Sequence, residues 1–456
     1  MKLTLSQIAE YTGGKLYGDG NVIVNGFFTD SRQAEAGKMF VAIKGEKTDG
    51  HKYIPMCTEK GCNACFSEQV LPEDIKINYV LVKNSVAGLQ KCGEKCRSNI
   101  KVPVIGITGS VGKTTTKEII SLALSSSLCV NKTIGNANGQ IGVPQMVMKT
   151  EPEHDICVFE MGMSYPGEMK RIVDIARPNI AVMTNIGVSH IEFHGTRENI
   201  MKEKLIIADY IGATGTIFVN GDDDLLCTLK KKHEIGELEP SVVTFGIGDD
   251  CDFRAYDIKE ANGETTFKFR LEDEEFSVKL PVIGLHNVRN ALAALCVCEY
   301  VGLDLNKAIA ALATYKSPDM RGEIKSFGTV TVIDDTYNAS PDSMISSLDM
   351  LSRFEGRKIA VLSDMLELGS YSEKGHTDVG KAASDKGIDF LIAVGNEAEF
   401  IYKGFDNAEK SVYFKTNAEV NAFLDDFIKP NDTVLIKGSR GMHTEEIREH
   451  LSKNTK

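Results

Sequence analysis

The stretch Pro103-Val-Ile-Gly-Ile-Thr-Gly-Ser-Val-Gly-Lys-Thr-Thr-Thr116 runs from an apolar segment through a Gly-rich turn straight into a helical pattern, TTKEIISLALSS. Strand, turn and helix in that order form a phosphate-binding loop. Small residues let backbone N–H groups converge on an anion, and the helix N-terminus adds partial positive charge. Lys113 is placed to neutralise β and γ phosphates, and the Thr114 hydroxyl to ligate Mg²⁺. The full G-x-x-x-x-G-K-[ST] spacing needs glycine at 107, where Ile stands. Gly106 and Gly109 bracket that position, so the loop is a shortened G-x-x-G-K-T. A chance Gly-rich turn at a helix start is the alternative.

Outward from the loop, strands Ile156 to Glu160 and Ile180 to Thr184 alternate with helical segments, which implies a mostly parallel sheet with right-handed crossovers. The β-rich segments TTFKFRL and FSVKLPVIG, then a helix from Asn287 to Tyr300, complete a central P-loop domain over 99–313. Before it, short strands and helices with turn signals at Gly13-Gly14 and Gly18-Asp19-Gly20 give a smaller N-terminal α/β domain, 1–98. The N-terminus itself reads as a short strand and an amphipathic helix. After Tyr315-Lys-Ser-Pro-Asp-Met320, strands VTVIDD, KIAVLSD, FLIAVG and TVLIKG alternate with helices, a Rossmann-like C-terminal domain over 314–456. The fold class is α/β in three domains, and 456 residues at about 150 per domain allow that number.

Composition narrows the partners. Lys plus Arg number 52 and Asp plus Glu 64, a net charge of -12, with no basic tract, so nucleic acid and anionic membrane surfaces are excluded as bulk partners. No uncharged apolar stretch reaches the roughly 18 residues of a membrane span, and the N-terminus lacks the apolar core of a secretion signal. A cytoplasmic protein without membrane insertion is expected. Eleven Cys in mostly apolar contexts read as reduced thiols. Cys62, Cys65, Cys92 and Cys96 read as small core residues, with a zinc site as the alternative.

Near the loop, the strand DICVFE ends in Glu160, where a metal-holding carboxylate is expected, and Thr184-Asn-Ile-Gly-Val-Ser-His190 carries a histidine to the same sheet edge. A histidine at a strand end is as a rule structural. The neighbouring loop and Glu160 favour a metal or phosphate role. Asn131-Lys-Thr-Ile134 lacks the Asp of a guanine-reading N-K-x-D. No Ser-His-Asp or Cys-His signature is present.

In order along the chain, TGSVGKTTT, EMGMSYPGEM, TNIGVSHIEFHGTRENI, HNVRNALAA and DDTYNASPDSM resemble the motifs of the Mur ligases, ATP-dependent amide-forming enzymes of bacterial peptidoglycan synthesis. The resemblance spans nearly the whole chain. Thr29-Asp-Ser-Arg32, Gly37 to Gly45 and Asp49-Gly-His51 resemble the uridine-nucleotide domain of the third and fourth ligases of the series. The D-N-P-R string of the third is absent. Gly135-Asn-Ala-Asn138 with Ile141-Gly-Val-Pro144, and Asp364-Met-Leu-Glu-Leu-Gly369, are similar to the fourth.

The resemblance implies ligation of D-alanyl-D-alanine to UDP-N-acetylmuramoyl-tripeptide through an acyl phosphate, by a monomer. It assigns Thr108, Gly109, Ser110, Val111, Gly112, Lys113 and Thr114 to ATP phosphates, with Asn287, Asn290, Arg321, Asp335, Tyr337 and Asn338 as further nucleotide contacts. Two Mg²⁺ ions are implied, one at Thr114 and Glu160, the other at His190 and Lys204, whose amine the family carries as a carbamate. Lys113, Lys204, His190 and Arg321 become the catalytic set. Ser31, Arg32, Lys44, Asp49, His51, Asn136, Asn138 and Asn185 become the substrate contacts. His376 and Lys437-Gly-Ser-Arg440 are contacts for either dipeptide or nucleotide, or ordinary loop residues. Asp335 and Asn338 would reach the nucleotide only on domain closure. A folylpolyglutamate synthase would share the loop and the lysine but not the uridine-type N-terminal domain. A P-loop switch protein would not need the metal-ligand residues at three places.

Overall fold

The computed structural model describes residues 2–45, 48–261 and 263–454. Among them the strands gather into three principal sheets, and each sheet is built from one contiguous part of the chain. Residues 15–81 form five strands in the order Lys15–Tyr17, Asn78–Leu81, Ala64–Ser67, Met39–Val41, Phe27–Phe28, parallel except at the first pair. Leu3–Thr4 and Ile23–Val24 make a small ribbon beside the helix Leu5–Thr12, which is closed by a capping box between Thr4 and Gln7.

The central sheet has nine strands. Val130–Lys132, Ile156–Glu160, Val104–Thr108, Ile180–Met183, Thr216–Asn220, Ser241–Gly246 and Phe253–Ala261 run parallel in that order, and Glu264–Leu271 and Glu274–Leu280 extend it as antiparallel hairpins. The inner parallel strands Ile156–Glu160, Val104–Thr108, Ile180–Met183 and Thr216–Asn220 are buried on both faces, as strands covered on both sides must be. One face carries the helices Lys113–Leu124 and Leu285–Tyr300, packed over Ile105, Ile107 and Phe218. The other carries Gly142–Met148 and Glu168–Ala176 over Phe159 and Ala181. The hairpin strands alternate instead, burying Phe267, Phe269, Phe276 and Val278 against the first face.

The third sheet orders its strands Glu323–Phe327, Val330–Asp335, Thr433–Lys437, Lys358–Ser363, Phe390–Val394, Ser411–Phe414, all parallel but the first. Strand order turns back beside Thr433–Lys437, so Asp335 and Lys437 end at the crevice where open α/β sheets take ligands.

The four cysteines divide. Cys92 and Cys96 lie with Leu89 and Val80 in one apolar cluster, and Cys62 and Cys65 with Phe40 and Tyr79 in another on the opposite face of the sheet. They cannot share a metal ion. Burial pushes the Cys96 thiol up to about 11, so these sulfurs are core atoms. No helix among the described residues is long and apolar enough to cross a membrane.

Candidate active site

The loop 109–112 joins the strand Val104–Thr108 to the helix Lys113–Leu124. Gly112 caps that helix at φ 84°, a left-handed conformation that costs a side-chain-bearing residue roughly 1 kcal/mol or more. Asn185, from the neighbouring strand end, holds the loop. Its carbonyl accepts from the Ser110 amide at 3.0 Å, and its Oδ1 accepts from the Val111 amide at 2.9 Å. Those amides are therefore committed, and the N–H groups at the helix start, from Gly112 to Thr114, remain for an anion because a helix cannot satisfy its own first donors. Lys113 bends back and donates from Nζ to the carbonyls of Gly109 (2.8 Å) and Ser110 (3.2 Å). Burial lowers its pKa, the Glu160 charge opposes that, and Arg321 adds to it.

Glu160 is 2% exposed at the end of the strand adjacent to the loop strand. Its two oxygens accept from Thr114 Oγ1 (2.8 Å) and Asn138 Nδ2 (2.7 Å). The Glu160 carboxylate and the Thr114 hydroxyl are neighbouring oxygen ligands, and the Asn138 N–H orients the carboxylate. No cluster of three or more His, Cys, Asp or Glu among the described residues is placed to cage a metal ion. This fits Mg²⁺, which takes one or two protein carboxylates and completes its shell with water and phosphate oxygens.

These groups line a cavity of about 860 Å³ between the central and third sheets. Asn136, Asn138, Asn185, His190 and Asn290 face it from the central side, and Arg321, Asp335, Tyr337 and Asn338 from the other. The Arg321 guanidinium lies 3.9 Å from the centre of the Tyr337 ring, a cation–π contact that fixes a positive charge over the cavity. Lys437 Nζ donates to Asp335 Oδ2 (2.6 Å) and the Asn338 carbonyl (3.0 Å). Residues of the third sheet's domain and of the phosphate loop thus line one cavity in this structure. Asn136, Ile141 and Gly142 also line a second cavity, of about 490 Å³, whose far wall is Asn25 to Asp30, Gln33 and Lys38 of the first sheet.

Residues 24–104 match the Mur ligase family catalytic domain, 107–298 the Mur ligase middle domain, and 320–440 the Mur ligase glutamate ligase domain. The UDP-N-acetylmuramoyl-tripeptide--D-alanyl-D-alanine ligase of Bacillus subtilis is 34% identical over 99% of this chain and 98% of its own length. The chain belongs to the Mur ligase family. Solved Mur ligases share its fold throughout. MurF from Acinetobacter baumannii superposes with a TM-score of 0.90 at 30% identity over 99% of both chains. MurF ligase from Thermotoga maritima in complex with ADP gives 0.82 at 32% identity, over 94% of this chain and 97% of that one.

In this Mur ligase several of the expected contacts lie away from the cavity. Thr108 is fully buried beneath the loop, and Gly109 lends only its carbonyl, to Lys113. Asn287 donates Nδ2 to the Ile283 carbonyl at 2.8 Å and stabilises the helix start, whereas Asn290, one turn on, accepts from Thr116 Oγ1 and reaches the cavity. Lys204 sits behind the cavity wall on the helix Arg197–Leu205, 1% exposed. Ser31 stands in the short turn Ser31–Gln33 beside the second cavity, Arg32 is paired outward with Asp30, and Lys44 pairs through its backbone with Asp49. His51 has both ring nitrogens engaged, one by Asp49 Oδ1 and the other by the Glu68 amide. His376 is fully buried, its Nε2 accepting from the Met365 amide at 2.9 Å, so it is a packing residue and not a dipeptide contact. Sequence reasoning missed His286 and Arg289; His286 lies three and four residues before Arg289 and Asn290, one helical turn away, and all three line the cavity. It also missed Asp342 and Asn220.

Proposed function

We infer that this Mur ligase joins D-alanyl-D-alanine to the terminal carboxylate of UDP-N-acetylmuramoyl-tripeptide, using ATP. The observation that carries the reading is the pair of cavities sharing Asn136, Ile141 and Gly142. A long substrate anchored by its nucleotide against the first sheet can extend its peptide end to the phosphate loop. Amide formation from a carboxylate is uphill because its oxygen leaves poorly. Transfer of the γ-phosphoryl group to that carboxylate gives an acyl phosphate, which the dipeptide amine attacks at the carbonyl carbon. Phosphate leaves as the C–N bond forms, and the amine proton passes to solvent. Lys113 and Arg321 place positive charge where the transferred group must build negative charge, and the amides of Gly112 to Thr114 hold its oxygens. Bound at Thr114 and Glu160, Mg²⁺ would supply further charge neutralisation there. The division of labour is uridine nucleotide on 1–98, ATP on 99–313 and dipeptide on 314–456.

Lys204 supports the carbamate reading. Its side chain is 1% exposed, and its ammonium is shifted well below its ordinary pKa, first by burial and then by Lys113. The neutral amine is the form that adds CO₂, gaining a carboxylate and releasing a proton, and an anion there would suit a second cation beside His190. Labelling with ¹³C-bicarbonate should give one carbamate resonance, lost in Lys204→Ala. Unmodified Lys204 in active enzyme sinks this assignment. A monomer in the cytoplasm, where ATP is supplied, completes the reading, and sedimentation checks the monomer. The test of the activity is phosphate release that needs both muramyl-tripeptide and dipeptide, with the ligated product seen by mass. Release with either substrate missing would count against the ligase.

A further inference from the structure

The motif Asp364-Met-Leu-Glu-Leu-Gly369 belongs to the third sheet's domain, yet it presses on the central one. Its Glu367 carboxylate hydrogen-bonds His190 Nδ1, and its Glu367 carbonyl accepts from the Glu192 amide at 3.5 Å. A side chain at Gly369 would come within 2.9 Å of Glu192 Cγ, so the two segments are in tight contact. The loop reaches His190 already shaped. His376 takes the Met365 amide and Ser439 Oγ takes the Leu366 amide, both at 2.9 Å. Both partners of the contact carry left-handed backbones, His190 at φ 63° and Glu367 at φ 62°. Neither is glycine, and conformations of that kind persist where the surroundings enforce them.

A carboxylate can only accept, so in the neutral ring the Glu367 contact puts the proton on Nδ1 and leaves the Nε2 lone pair free on a residue that lines the phosphate-loop cavity. Histidines that bind metals are oriented in this way by a carboxylate on the other nitrogen. Here that carboxylate comes from another domain. We propose that Glu367 is a positioning residue for His190, so that the histidine presents Nε2 toward the cation site only while the C-terminal domain is docked. The proposal rests on the ligase reading and deepens it, because docking and cation binding become one event.

The full-length enzyme, labelled with ¹⁵N in its histidine rings, gives the first readout without any substrate. The His190 signals, identified by their loss in His190→Ala, should show protonated Nδ1 and bare Nε2. In Glu367→Ala they should move to a mixture of tautomers. Manganese titration followed by electron paramagnetic resonance, with a non-hydrolysable ATP analogue, gives the second. Glu367→Ala should weaken the His190-dependent ion about 10- to 100-fold, the usual cost of losing such a partner. Glu367→Gln, which keeps an acceptor oxygen, should weaken it less. In the His190→Ala background Glu367→Ala should add nothing. Unchanged tautomers, unchanged manganese affinity, or a Glu367 effect that survives removal of His190 would each overturn the proposal. Failure of the ligase reading would show separately, as wild-type phosphate release independent of the dipeptide.

Discussion

The two seams of this molecule are built from different materials. Between the first and central sheets, the helix Ser85–Asn99 packs on the helices Gly142–Met148 and Glu168–Ala176, and Met148 joins the apolar cluster of Cys92 and Cys96. Arg97, 8% exposed, spends its guanidinium on the carbonyls of Ala176 (2.6 Å), Ile100 (2.7 Å) and Arg177 (3.0 Å) and on Asn179 Oδ1 (3.2 Å). Between the central and third sheets lies the larger cavity, and the contacts that span it are polar: Glu367 to His190, Arg353 to Glu260, Ser346 to His286, and Asp342 to the Val188 amide. Apolar packing around a buried, fully engaged guanidinium resists separation of the first and central sheets. Polar contacts around a hollow can exchange with water at small cost. In the proposed reaction the first seam is the one suited to hold a long substrate in register, and the second the one suited to open and close over the chemistry.

If chemistry belongs to the open seam alone, Lys113→Ala should cost most. Ligation is expected to fall by about 10³-fold or more, because a preorganised charge on the transferring phosphoryl is lost. The thermal midpoint should hold or rise, since the lysine is buried and its charge is disfavoured there. Stopped-time product assays and a melt decide both. Next in size, Arg97→Ala should remove the guanidinium donor from three carbonyls in the closed seam, while Asn179 Oδ1 keeps the Val104 amide, and cost about 3 kcal/mol in urea unfolding. The rate per folded molecule should be close to wild type. A large loss of turnover without loss of stability would break the contrast between the seams.

Gly187→Ala probes the open seam without touching a charge. The Gly187 amide donates to Ser110 Oγ of the phosphate loop at 2.9 Å, and an added Cβ would fall 2.0 Å from Asp342 Oδ2 of the third domain. Docking must then give way. Turnover is expected to drop about 10- to 100-fold, the scale set when a small displacement spoils positioning. A larger scattering radius should accompany it, with the melt little changed. Asp342→Ala in the same chain should restore part of both, and an unaltered radius would remove Gly187 from the docking contact.

Much of this was legible in sequence because it is local. The phosphate loop, Glu160 at its strand end and the parallel order of the central and third sheets follow from periodicity and spacing over short windows. Register within a helix was harder. Asn287 and Asn290 look alike in sequence, but only the second points to the cavity. His51 and His376 are buried rings with both nitrogens engaged, His51 by Asp49 Oδ1 and the Glu68 amide, His376 by the Ser372 carbonyl and the Met365 amide, and the distant amides in these sets leave no mark in the local sequence. Asn185, expected at the substrate, lines the cavity and also holds the loop, a second task that its sequence context does not show. Glu367, Asp342 and Lys437 act across or beside the open seam, and their partners lie 99 to 177 residues away in sequence. No local pattern encodes a docking surface between two separately folded sheets.

The smallest effect should come from Arg353→Ala. Arg353 follows the helix Pro341–Ser352 and pairs with Glu260 across the seam and with Asp349 on its own helix at 2.6 Å. Glu260 keeps a second partner, the Gly284 amide at 2.8 Å, so its carboxylate is not stranded when the arginine goes. Partly exposed pairs of this kind contribute about 0.2–1 kcal/mol. Docking should weaken by no more than about fivefold, read as a higher KM for ATP at nearly constant kcat. Since the pair is screened, the difference from wild type should shrink between about 0.05 and 0.5 M salt. A KM effect as large as that of Gly187→Ala, or one indifferent to salt, would mean that the seam is held by this ion pair rather than by the contacts around the phosphate loop.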